Sequence, residues 1–290
     1  PHVELSLAED YRNVVLDHVR AEYRSGRTPN PCMLCNPHLK FGLLLERARS
    51  EGLAFDAFAT GHYARVTTDP VSGQIRLWRG LDRSKDQSYF LARLSQQQLT
   101  SVLLPLGGLL KSQIIEIAQK AGFSDLLVHG ESQDFMEGEG YTQLFDKTDS
   151  RPGPILDTAG RLLGQHRGLV HYTVGQREGL GVAASQRLYV KAIQPEQNTL
   201  VVGFREEVQS SSCLIHDVSW VSGSAPAEGE YTVRLRYRHE GASAQLAHLP
   251  DGRMRLTFDV PQFAVAPGQA AVVYAGEEVL GSGWINTDDA

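Results

Sequence analysis

Long apolar runs are missing from this chain of 290 residues, so no stretch of it reads as a membrane span. A basic-then-apolar secretory leader is missing too. Cysteine is scarce. There are three, two of them close together at Cys32 and Cys35 and the third far away at Cys213. Three thiols build no disulfide framework, and they exclude a complete four-thiolate metal site within one chain; this usage fits a reducing cytoplasm. Excess positive charge is lacking. The formal net charge of -6 speaks against a polyanion binder acting through bulk charge, and leaves room for a local basic face. No repeat or low-complexity tract is visible. Residue 1 is proline rather than methionine, and Val3-Glu4-Leu5 follows like a strand end; an N-terminal segment is expected upstream.

What is present is the composition of a globular protein, 41% hydrophobic and 21% charged, with length for two or three domains. Ser6-Leu7-Ala8-Glu9 has the spacing of a capping box. The recurrence of Leu7, Tyr11, Val14, Val15, Val19 and Tyr23 predicts an amphipathic helix after it. Next comes Thr28-Pro29-Asn30-Pro31-Cys32-Met33-Leu34-Cys35-Asn36-Pro37, read as a loop that its prolines stiffen and that presents two thiols in a definite place. This stretch is the expected chemical centre. A helix from about Leu39 to Ser50 and a short strand over Ala54–Thr60 lead into Gly61-His62, which is α/β grammar with a ligand-gathering turn at the strand's end.

A hairpin is expected over Val66–Asp82, and helices near Gln96–Val102 and Lys111–Ala121. Glycines and short strands, among them Leu188–Ile193 and Thr199–Gly203, then replace the helical patterns, and from about Glu207 the chain reads as strand and turn throughout, suggesting a small barrel. The fold class is therefore α/β plus β, divided into 1–134, 135–207 and 208–290. Tyr231 to Arg238 alternates strictly, setting Arg234, Arg236 and Arg238 on one expected face for phosphates, with Tyr237 able to stack on a base. A charged solvent face of an edge strand is the plainer alternative.

Nine segments, in order along almost the whole chain, resemble the tRNA-specific 2-thiouridylases of the MnmA type. They are Gly26-Arg27-Thr28-Pro29-Asn30-Pro31 with Leu34-Cys35-Asn36 and Lys40-Phe41; Ala59 to Arg65; Lys85 to Leu91; Pro105-Leu106-Gly107; Glu131-Ser132-Gln133-Asp134; Tyr172 to Arg177 with Gly179-Leu180-Gly181; Arg236-Tyr237; Pro267-Gly268-Gln269; and Leu280 to Gly283. The resemblance implies a Rossmann-like ATP-pyrophosphatase (adenine nucleotide alpha hydrolase-like) domain, a small central domain and a C-terminal β-barrel. It implies a cytoplasmic enzyme that uses ATP, with Mg2+, to adenylate the 2-oxygen of the wobble uridine in tRNA. Sulfur from a protein persulfide then displaces AMP.

Carried onto this sequence, the resemblance makes Cys35 the loop nucleophile and Gly61 an ATP contact. Asn30, Pro31 and Cys32 fall on the segment that meets the target base. His62, Lys85, Asp86, Gln87, Arg236, Tyr237 and Gln269 fall on tRNA contacts. Cys213 is expected to be structural, and no role follows for Tyr172–Gly181 beyond scaffold.

Two departures stand out. The family's Ser-Gly-Gly-x-Asp-Ser phosphate loop does not occur in these residues, and Asp134-Phe135-Met136-Glu137 holds no second catalytic cysteine. Cys32 stands where the family often has aspartate. One reading makes Cys32 the replacement thiol, exchanging persulfide and disulfide with Cys35 inside one C-x-x-C. Competing readings are an iron–sulfur or other metal site on Cys32 and Cys35, with His38 as a candidate further ligand, or a cysteine that only fills the aspartate's space. A non-catalytic tRNA-binding protein and a metal- or redox-sensing protein are the rival functions. His62 and Lys40 are the expected cations beside the thiols.

Overall fold

The computed structural model describes residues 2–123 and 140–286. The expected boundary at 134/135, Glu131-Ser132-Gln133-Asp134 and the Phe135-Met136-Glu137 stretch lie outside the described residues.

The first helix runs over 8–24, with one wide-turn stretch at Arg12–Leu16. Val15 and Val19 lie fully buried on it and pack with Cys35 and Leu39. The capping box does not form: Leu7 is the N-cap and gives no side-chain hydrogen bond. The larger correction concerns the cysteines. A second helix begins at Cys32 and continues to Ser50, so the thiols occupy its first turns and not a loop. Pro31, at φ -58° and ψ -34°, already has helical geometry, which is why proline opens helices well. Pro37 has no N–H to give, and the wide-turn segment Cys35–Leu43 absorbs the lost rung.

Fourteen strands are described. Two of them, β1 (Phe58–Ala59) and β4 (Val102–Leu103), form a short parallel pair. The expected strand over Ala54–Thr60 shrinks to β1. Gly61 follows its C-terminal end. β2 (Ala64–Thr68) and β3 (Ile75–Arg79) form the expected hairpin.

A central four-stranded sheet follows, made of β5 (Gly153–Leu156), β6 (Leu162–His166), β7 (Tyr189–Gln194) and β8 (Thr199–Gly203), in the order β6-β5-β8-β7. Tyr172–Gly181 is turn rather than strand, with Leu180 in this unit's core. Its Gly175 approaches the next domain so closely that a Cβ there would lie 2.4 Å from that of Ala264. Only glycine fits, which agrees with a scaffold role.

The last six strands are β9 (Gln209–Trp220), β10 (Gly229–Arg234), β11 (Ala242–His248), β12 (Met254–Phe263), β13 (Ala270–Ala275) and β14 (Glu278–Asn286). They pair in a ring, because β13 bonds both β10 and β14; the barrel is closed. Closure leaves these six strands no free edge within the ring. The hairpin β2–β3 attaches outside it through Val279↔Leu77 and Glu278↔Trp78. One core consequently spans helix, hairpin and barrel, with Met33, Phe41, Leu77, Tyr89, Val272, Tyr274 and Val279 in contact. Cys213 is 1% exposed in the barrel core, where a small apolar side chain belongs. No helix among the described residues is long and apolar enough to cross a membrane.

Candidate active site

A cavity of about 490 Å³ opens between the helical domain and the barrel. From the helical side it receives Asn30, Pro31, Cys32, His62 and Gln87; from the barrel, Arg236, Tyr237 and Gln269. Eight residues singled out in the sequence thus share one space although the chain separates them by up to 239 positions (269 minus 30). Asn36, Phe90 and Tyr141, to which the sequence assigned no role, line it as well, and so does Arg238 of the expected phosphate face. For Asn36 the signal was present: Cys32, Asn36 and Lys40 recur every four residues, so one helix strip faces the cavity.

The two thiols are placed differently. Cys32 lines the cavity and is half-buried, whereas Cys35 is 9% exposed and packs behind it with Val15, Val19 and Leu39. Burial pushes the Cys35 thiol up, and the nearby Lys40 charge only partly opposes that. His62 is not the expected cation. Burial, with Lys40 adding to it, lowers its pKa to about 4, so the ring is neutral at pH 7. Its Nδ1 lies 2.8 Å from the Thr60 hydroxyl. Among the described residues no three His, Cys, Asp or Glu side chains converge as a metal cage. His38 lines a separate cavity with Arg93 and Arg49, so it does not complete a Cys32–Cys35 site.

The segment before Cys32 is latched to the barrel. The Gln269 amide donates to the carbonyls of Thr28 (3.0 Å) and Pro29 (3.3 Å), and the Thr28 N–H donates to Pro267 O (2.7 Å). A side-chain hydrogen bond joins Asn30 to Tyr89, whose hydroxyl donates to Ala270 O at 2.8 Å. On the other wall the Tyr237 ring leans on Phe90, centroids 4.3 Å apart. The Gln87 side chain accepts from the Tyr63 N–H at 3.0 Å.

Four candidates do not line the cavity: Cys35, Gly61, Lys85 and Asp86. Gly61 is exposed, and a Cβ on it would meet only Leu106 Cδ1 at 3.7 Å, so its surface is open to a ligand. Lys85 is half-buried in the turn just before Gln87. Asp86 is 3% exposed and its carboxylate is taken up by protein donors. The alternating arginine face is also corrected. β10 stops at Arg234, which is 7% exposed and ion-paired to Asp86, while Arg236 and Arg238 sit on the bend that follows.

Comparison with known proteins agrees with this architecture. Residues 1–136 match the family described as tRNA methyl transferase HUP domain, a Rossmann-like fold. Residues 143–204 match the tRNA methyl transferase PRC-barrel domain, and 210–285 the aminomethyltransferase β-barrel domain. Those labels speak of methyl transfer, whereas the similar full-length proteins are named for sulfur. The chain is 43% identical over 293 residues to the tRNA-specific 2-thiouridylase MnmA of Moorella thermoacetica, covering 99% of this chain and 81% of that protein. It is 43% identical over 290 residues to the MnmA of Nostoc punctiforme, and 44% over 288 to that of Synechococcus sp. (strain JA-3-3Ab), covering 98% of this chain in each case and 82% and 77% of those proteins. Identity of that level from end to end, on this three-part architecture, places the chain in the tRNA-specific 2-thiouridylase (MnmA) family.

Proposed function

We propose that this protein is a tRNA-uridine 2-sulfurtransferase, replacing the 2-oxygen of the wobble uridine with sulfur. The observation that carries this is the cavity, in which a thiol, a rigid Asn-Pro edge, a stacking tyrosine and two arginines meet in a member of the 2-thiouridylase family. A uridine must leave its stack to expose its 2-position, and a pocket with an aromatic wall and basic rim suits a flipped base with its phosphates.

ATP, with Mg2+, adenylates the 2-oxygen: that oxygen bonds the α-phosphorus, pyrophosphate departs, and the oxygen becomes part of an AMP leaving group. The open surface of Gly61, at the C-terminal end of a parallel strand, fits the approach of a nucleotide. The described residues include no phosphate-cradling loop, so Gly61 alone is assigned to the nucleotide.

The thiols divide the sulfur chemistry by exposure. A donor protein's persulfide transfers its outer sulfur to the Cys32 thiolate, leaving the donor as a thiol. That outer sulfur attacks C2, and AMP departs with the old oxygen. The Cys35 thiolate then attacks Cys32 Sγ. The bond to the transferred sulfur breaks, 2-thiouridine leaves, and Cys32 and Cys35 are joined as a disulfide that an external thiol reduces. An anionic sulfur on Cys32 lies at the positive end of helix 32–50, which favours it. Asn30 and Pro31 edge the base, His62 lines its site as a neutral ring, and Lys85, Gln87, Arg236, Tyr237 and Gln269 hold the tRNA around it. A cytoplasmic location keeps the thiols reduced between turnovers.

The test uses the protein in its natural reading frame with ATP, a persulfide donor and unmodified tRNA, followed by digestion and mass spectrometry. The expected product is 2-thiouridine, with Cys32–Cys35 disulfide accumulating when reductant is withheld. tRNA binding without 2-thiouridine under those conditions would sink the enzymatic reading.

A further inference from the structure

Directly beneath the cavity lies a buried ion pair that the chemistry above does not use. Oδ2 of Asp86 accepts from Arg79 Nε and from Arg234 Nη1, each at 3.0 Å. Oδ1 accepts from the backbone N–H of Gly80 (3.0 Å) and of Ser88 (3.1 Å). Four donors satisfy this carboxylate, so none of it faces RNA. The rest of the Arg234 fork turns to the barrel loop. Nε donates to His239 O at 2.8 Å, and Nη2 donates to Tyr237 O. One guanidinium therefore grips two carbonyls of a bend that has no ladder of its own, and that bend sends Arg236, Tyr237 and Arg238 into the cavity. The other end of the grip is the residue beside Gln87, on the opposite wall.

A buried ion pair is weak evidence of stability, since a well-packed apolar pair does as well. An apolar pair would leave those two carbonyls unheld. We propose that Arg234 is a positioning residue: anchored on Asp86, it sets the 235–239 bend so that Arg236, Tyr237 and Arg238 meet the phosphates and unstacked base of single-stranded RNA. The inference deepens the proposed function and rests on it. Lysine cannot substitute, because a point charge on a flexible stem does not reach an acid and two carbonyls at once.

The charge-conserving variant Arg234→Lys is the test, with tRNA affinity measured over a range of salt. It is expected to weaken binding about tenfold, with the loss falling on KM for tRNA more than on kcat, and to lower the salt slope by the equivalent of about one to two phosphate contacts. In a Tyr237→Ala background the same change should add clearly less than its full tenfold, because the stacking share of what the bend positions is already gone and only the Arg236 and Arg238 share remains. Should Arg234→Lys fail to fold, Asp86→Asn, which keeps shape and acceptor, is measured in the same cycle with the same expectation. Wild-type affinity in the folded variant, or a penalty that adds in full to Tyr237→Ala, overturns the inference. Failure of the wild-type protein to bind tRNA at all would instead remove the proposed function.

Discussion

On one side of the cavity Cys32 rides on helix 32–50, whose back strip of Cys35 and Leu39 is packed against Val15 and Val19 of helix 8–24. On the other side Arg236, Tyr237 and Arg238 sit on a bend without regular ladder, gripped from below by Arg234 and Asp86. The helical wall is backed by apolar contact, which is non-directional. The barrel wall is held by directed, charge-assisted hydrogen bonds, which fix where three side chains point. Under the proposed function, which places sulfur transfer on one wall and RNA orientation on the other, each kind of hold falls where its strength lies.

The largest test of that contrast is at the thiols. Cys35→Ser and Cys32→Ser should each lower the rate of 2-thiouridine formation about a thousandfold or more while tRNA affinity changes little. A Cys32→Ser enzyme that keeps its rate would break the division of labour between them. An alkylating reagent should label Cys32 well before Cys35, since burial holds the Cys35 thiol up and packs it away from solvent.

Next in size is the barrel wall. Asp86→Ala leaves buried Arg234 and half-buried Arg79 without their acid and should cost about 3 kcal/mol in denaturant unfolding. A loss near zero would mean that the wall is held by packing after all.

His62 gives a smaller effect with a definite sign. In the unfolded chain a histidine takes up its proton near pH 6.5, whereas in the fold His62 refuses it until about 4. Between those values the unfolded state binds more protons. The contribution is therefore complete above about pH 6.5 and is lost as pH falls towards 4, by roughly 2 kcal/mol given solvent in the cavity. Subtracting the stability profile of His62→Gln from that of the wild type should isolate this limb. Smallest is Tyr237→Ala, expected to weaken tRNA binding by about 1–2 kcal/mol through lost stacking, with the thiolation rate of bound tRNA nearly retained.

Much of this was legible from local pattern. The hairpin around Pro70–Gly73, the strand Thr199–Gly203 and the closed run of barrel strands follow from alternation and turn residues. The motifs named nearly every cavity residue. What pattern could not show is where long-range partners intervene. Arg234 alternates like its neighbours, and nothing local reveals an acid 148 residues away that draws it inside. Three prolines argue for a loop at Cys32, yet Pro31 starts a helix and a wide turn accommodates Pro37. Serine and glutamate have capping-box spacing at Ser6 and Glu9, but the helix begins one residue too late to use it.

The attachment of β3 to β14 also has a consequence for how the molecule is made. Leu77 is fully buried with Val279 beside it, and the core that backs the Cys32 segment draws on Val272, Tyr274 and Trp284. A ribosome adds roughly 5–20 residues per second, so the hairpin emerges about 10–40 seconds before its partner strand. During that interval its apolar face has the cover of Met33, Phe41 and Tyr89 but lacks the barrel's share of the core. The core behind the Cys32 segment is complete only when the last strand of the barrel arrives, so the N-terminal half waits on the C-terminal one.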